Sequence, residues 1–99
     1  MIKVYIENDN KNITITGHAG YDEYGKDIVC SSVSSIVITT INGIIELEKD
    51  TIKYSDDNEK LIIEVIKDSD ITVKLINNMI LLLEQLENDY KDNIKIIRR

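Results

Sequence analysis

The sequence has no proline, tryptophan or phenylalanine, a single alanine (Ala19), a single histidine (His18) and a single cysteine (Cys30). One cysteine excludes an internal disulfide. With only one histidine beside it, no soft ligand set for zinc can be completed either. No unbroken run approaches the roughly 18 apolar residues that a bilayer crossing needs, and no basic-then-apolar leader opens the chain. A membrane association is therefore not expected, secretion is disfavoured, and a cytoplasmic location is the expectation. Basic residues are short as well, at 12 Lys plus Arg against 18 Asp plus Glu, a formal net charge of -6. Such a surface repels phosphate backbones, so direct nucleic-acid binding is not expected. The local basic cluster of Lys95, Arg98 and Arg99 sits at a solvated C-terminus. The shortage of alanine and proline beside abundant Ile, Asn and Lys reads as the codon bias of an AT-rich genome, which concerns origin and not mechanism.

What remains is an ordinary globular composition, 42% apolar and 30% charged over 99 residues. That length builds one core and not two, so residues 1–99 are read as one domain. Residues 2–7 alternate, with Ile2, Val4 and Ile6 on one face, and predict a half-buried strand. Asn8-Asp9-Asn10-Lys11 supplies turn chemistry, and Ile13 and Ile15 return as a second strand, making a hairpin that ends at Gly17-His18. Residues 19–26 have neither period and predict a surface loop. From Asp27 onward Val29, Val33, Ile36, Val37, Thr40, Ile41, Ile44 and Ile45 recur at helical spacing, although the segment is rich in β-branched residues. Strands near 51–55 and 60–67 follow, joined by the turn residues 55–59. A second helix capped by Ser69 or Asp70 carries Ile71, Leu75, Ile76, Met79, Leu82, Leu83, Leu86 and Tyr90, and a last strand spans 94–98. The order ββαββαβ predicts an α+β fold, a ferredoxin-like two-layer sandwich of an antiparallel sheet and two helices.

The unusual composition sits between Gly17 and Ser34. His18 closes a strand, and Cys30 falls in the first turn of the following helix. That turn presents unpaired N–H groups and the positive end of the helix dipole, which favour a thiolate. A thiolate, a nearby imidazole and backbone N–H groups that receive an oxyanion are what nucleophilic cysteine chemistry requires. The residues alone leave the bland assignments open. Cys30 also suits a small core position, His18 a solvated strand end, Asp27 an N-cap, and Ser34 a helix serine bonding back to a carbonyl. Ser34 lies one turn beyond Cys30 on the same face, within reach of a thiolate or substrate. Gly20 and Gly25 bracket Tyr21 and Tyr24, a pattern that suits a substrate-covering lid with hinges at both ends.

Gly17-His18-Ala19, a glycine-containing loop, then Asp27-Ile28-Val29-Cys30-Ser31-Ser32-Val33-Ser34 resembles the ribosomal-processing cysteine protease family, Prp. The motif covers residues 17–34, and length and element order agree over the whole chain. The resemblance implies a bacterial cysteine endopeptidase that removes a short N-terminal extension from a large-subunit ribosomal protein precursor. No cofactor or metal is expected, since no second His or Cys completes a soft site, while the scattered Asp and Glu leave a carboxylate-only Mg²⁺ or Ca²⁺ site open. The resemblance implies that Cys30 is the nucleophile and His18 its base, with Gly17, Asp27 and Ser34 at matching motif positions. It also implies a homodimer, and a substrate extension that is apolar and then basic. The family pattern commonly has small residues such as alanine after the cysteine, where this chain has Ser31 and Ser32. The competing readings are a non-catalytic ferredoxin-like binding module and a thiol redox sensor, neither of which needs an imidazole beside the cysteine.

Overall fold

Alternation makes the first strand. In the computed structural model, which describes residues 1–17, 26–57 and 59–99, β1 (Ile2–Glu7) buries Ile2, Val4 and Ile6 and turns Lys3, Tyr5 and Glu7 outward. The Asn-Asp-Asn turn takes the left-handed backbone that its side chains tolerate, with φ of 54°, 53° and 67° at Asn8, Asp9 and Asn10. It leads into β2 (Asn12–Thr16), which pairs antiparallel with β1 and buries Ile13 and Ile15.

Helix α1 (Lys26–Leu47) forms in spite of poor intrinsic propensity, because its inner stripe of Val29, Val33, Val37, Ile41 and Ile44 is buried. Ile45, expected in that stripe, turns outward at 41% exposure. Thr40 quenches its hydroxyl by donating to the Ile36 carbonyl at 2.8 Å. Although no unbroken apolar run was expected to reach spanning length, Ile28–Leu47 has a mean hydropathy of 1.9 and passes for a span by length and composition. The reason is that its interruptions are Ser, Thr and Asn, with a single charge at Glu46. Here the apolar stripe is packed on the sheet.

Strands β3 (Ile52–Asp56) and β4 (Lys60–Val65) form a second antiparallel hairpin. Helix α2 (Asp70–Asp89) is capped by Ser69, whose Oγ accepts from the Thr72 N–H at 3.1 Å. Its buried residues are Thr72, Ile76, Met79, Ile80 and Leu83, while Ile71 and Leu82 face outward. The two buried threonines are satisfied by a relay of hydroxyls. Ser69 Oγ donates to Thr72 Oγ1 at 2.9 Å, and Thr51 Oγ1 donates to the Glu48 carbonyl at 3.1 Å. Each hydroxyl has one hydrogen, so the 2.7 Å contact between Thr72 and Thr51 must be donated by Thr72. The relay ties the α1–β3 turn to the start of α2.

Strand β5 (Ile94–Arg98) completes a five-stranded sheet of order β3-β4-β2-β1-β5, with both helices on one face. The expected antiparallel sheet is corrected in one pairing, because β5 runs parallel to β1. The extra N-terminal strand is the cause. β1 is antiparallel to β2, which is antiparallel to β4, so β1 and β4 share a direction. The α2 crossover returns β5 in the direction of β4, and β5 therefore meets β1 in parallel. The sheet is mixed within the expected two-layer ββαββαβ architecture.

Candidate active site

One end of the sheet gathers the close of β2, the start of β4 and the end of β3, since Thr16 pairs with Lys60 and Asp56 with Leu61. Gly17 follows β2 there with φ of 79°, a left-handed conformation that favours glycine. A Cβ at this position would collide with the main-chain carbonyl oxygen of Met1. Glycine is required on both counts, and the next residue in the chain is His18. The expectations for His18, Gly20, Tyr21, Tyr24 and Gly25 fall outside the described residues, as does the Asp27 side chain.

Helix α1 begins at Lys26, one residue before the expected start, so Asp27 is its second residue and not its N-cap. Cys30 is the fifth residue, one full turn in, so it lies just past the first turn in which it was expected, because the helix starts earlier. Helical side chains lean back toward the N-terminus, so the Cys30 side chain is directed toward the first turn, where a helix leaves its first four donors unpaired. Cys30 is half-buried and packs against the core. The nucleophile candidate is thus both seated on the core and open to one side.

The two flanks of α1 differ. Ser31, Ser32, Ser35 and Ile36 line an open groove of about 480 Å³ against Leu82 and Leu86 of α2. Ser34, one turn beyond Cys30, lies on the opposite flank, where it lines a small pocket of about 30 Å³ with Ile38, Asp56 and Leu61. Ser31 and Ser32, the departures from the family pattern, therefore face α2 and not the Ser34 flank. The Ser34 pocket brings together residues from α1, β3 and β4 that no local sequence pattern connects.

The β3–β4 turn is held at the same end of the sheet. Asp57 accepts from the N–H groups of Glu59 at 3.1 Å and Lys60 at 2.8 Å. These two donors hold its carboxyl below the usual carboxylate range, the Lys60 bond contributing most. Among the described residues no three His, Cys, Asp or Glu side chains converge as a metal site.

Comparison with known proteins places the fold and the family. The family profile described as cysteine protease Prp matches residues 1–95. The ribosomal processing cysteine protease Prp of Staphylococcus aureus (strain Mu50 / ATCC 700699) is 32% identical over 98 residues, 96% of this chain and 92% of that protein. A crystal structure of Prp from S. aureus in complex with a substrate peptide superposes with a TM-score of 0.91 at 28% identity, covering 100% of both chains. A second, in complex with a covalently linked product peptide, gives 0.87 at 30% identity with the same coverage. A profile match across nearly the full length and an identity above 30% over almost all of both chains make the relationship plain: this chain belongs to the cysteine protease Prp family.

Proposed function

We propose that this protein is a cysteine endopeptidase that removes a short N-terminal extension from a bacterial large-subunit ribosomal protein during ribosome maturation. The observation that carries the reading is Cys30 one turn into α1, half-buried on the core. Family membership and the covalently linked product peptide of the S. aureus relative support it. The proposed dyad is Cys30 with His18. The thiolate attacks the scissile carbonyl, first-turn N–H groups receive the oxyanion, and imidazolium His18 protonates the leaving amine. Water then hydrolyses the thioester, with His18 as base. Gly17, Asp27 and Ser34 are assigned supporting roles, and Gly20, Tyr21, Tyr24 and Gly25 a substrate-binding loop.

A homodimer in the cytoplasm completes the reading. The helix-free face of the sheet, with Tyr5, Thr14, Ile62 and Ile97 in its middle row, gives a second copy a surface. The deciding experiment incubates purified protein with the precursor ribosomal protein and maps the new N-terminus by mass spectrometry. One cut, absent in Cys30→Ser, is expected. An intact precursor would overturn the reading. Sedimentation velocity and cell fractionation test the dimer and the location.

A further inference from the structure

The two edges of the sheet are treated differently. On β5 the outward N–H of Ile96 donates to the Glu87 carboxylate at 2.7 Å, and that of Ile94 to the Tyr90 carbonyl at 3.2 Å. That edge is stoppered from within the chain, a common way to stop a strand recruiting another. On β3 the ladder bonds lie at Thr51 with Ile66 and at Asp57 with Lys60. Antiparallel pairs alternate between bonded and non-bonded. Counting inward by twos, Lys53 and Ser55 bond β4, whereas Ile52, Tyr54 and Asp56 aim their N–H and C=O groups away from it. The directly paired residues Val65, Ile63 and Leu61 lie on the helix side of the sheet, so the side chains of Ile52, Tyr54 and Asp56 also lie on that side.

Above this edge runs one flank of α1. At 3.6 residues per turn, Cys30, Ser34 and Ile38 fall within roughly 80° of arc. Ser34 and Ile38 meet Asp56 and Leu61 around the small pocket. Ile38 and Tyr54 are 51% and 52% exposed. The outward edge of β3 at Ile52 and Tyr54 and the α1 flank of Ser34 and Ile38 therefore bound a cleft on the side of α1 that also carries Cys30.

We infer that the substrate peptide binds as a sixth strand on β3, using the backbone of Ile52 and Tyr54. Alternate side chains enter the cleft beneath Ile38, Ser34 and Cys30. This rests on the proteolytic reading above and adds how the substrate is held. The occupant is an extended peptide, because the cleft is continuous with the nucleophile's helix flank and a relative of the same fold is solved with a substrate peptide. Main-chain bonds give such an added strand its affinity, and the pocket of about 30 Å³ at Ser34 selects a small side chain at one position.

The test uses Tyr54→Pro, which deletes an outward donor without costing a β3–β4 ladder bond. With a precursor-derived peptide, KM should rise by about fivefold or more, the loss of one backbone hydrogen bond. The rate of Cys30 alkylation by iodoacetamide and the cooperative melt should match the unaltered chain. An unchanged KM would overturn the proposal. So would an unchanged KM with a dimer dissociating to monomer, which would assign the edge to a second copy. As a check independent of folding, peptides N-methylated one residue at a time are assayed on the unaltered chain. Losses at alternating positions support strand addition, and losses without alternation overturn it. Absence of any cleavage by the unaltered chain would instead overturn the proteolytic reading itself.

Discussion

At Gly17 a single hydrogen does the work of a side chain. The residue combines φ of 79° with a Cβ position occupied by the Met1 carbonyl oxygen. Gly17→Ala is expected to cost about 1–3 kcal/mol, the range for backbone strain held by its surroundings. Because His18 follows directly, the variant should also lose turnover per folded molecule. A urea titration run beside the peptide assay separates the two effects, and full activity per folded molecule would confine Gly17 to structure. Cys30 has the opposite character, since the role proposed for it is chemical. Cys30→Ser is expected to keep the fold and lower turnover by about 10³-fold or more, because members of a nucleophile–base unit fail together. His18→Ala should lose a similar factor, and the double variant little more than either. Multiplicative losses in the double variant would show that the two residues do not act as one unit.

At the scale of elements, the hydroxyl relay makes α2 and the α1–β3 turn depend on each other. Thr72→Val preserves volume but removes the acceptor of the half-buried Ser69 hydroxyl and the donor to the buried Thr51 oxygen, which keeps its own bond to the Glu48 carbonyl. About 1–3 kcal/mol of destabilisation is expected, read as a lower urea midpoint at unchanged slope. The β3–β4 turn gives a pH-dependent counterpart. Glu59 and Lys60 donors lower the Asp57 carboxyl in the folded state. Its contribution is present above the ordinary carboxylate value and is lost as pH falls through the lowered folded one. Asp57→Asn should therefore flatten the acid-side decline in stability, measured by thermal melts from neutral pH downward, and an identical decline would refute the assignment. Both features were partly legible. Ser69 was one of two candidate caps, and the Asp-rich turn was read from composition. The burial of Thr72 was not legible, because a threonine at a helix start looks like surface until the α1–β3 turn is folded over it. For the same reason Ile45, Ile71 and Leu82 were assigned to buried stripes that the structure narrows. Periodicity reports which face is apolar, and only packing against the other layer decides how wide the buried stripe is.

Across the whole molecule, element order was legible because each element carries its own period, whereas the pairing of β5 was not. Parallel alignment with β1 follows from the direction of three other strands and appears in no local pattern. The cleft between α1 and β3 was hidden in the same way: Ile38, Tyr54, Asp56 and Leu61 come from three elements and form a surface only in the assembled fold. The family motif from Gly17 to Ser34 was legible because it is contiguous in sequence, following β2 and running into α1. Net charge is the property that no single element carries. At -6 over 99 residues, the chain attracts a basic peptide from a distance, and attraction of this kind acts on encounter and not on the chemical step. For a substrate extension that is apolar and then basic, kcat/KM should fall several-fold as ionic strength rises from about 0.01 M to 0.15 M, where the Debye length contracts from about 30 Å to about 8 Å. The kcat measured at saturating peptide should stay level, because the bound substrate no longer depends on steering. Replacing the basic residues of the peptide with glutamine should remove the salt dependence of kcat/KM and leave kcat in place. A salt response that persists in the neutral peptide would assign it to the protein's own fold or assembly, and the steering account would then fail.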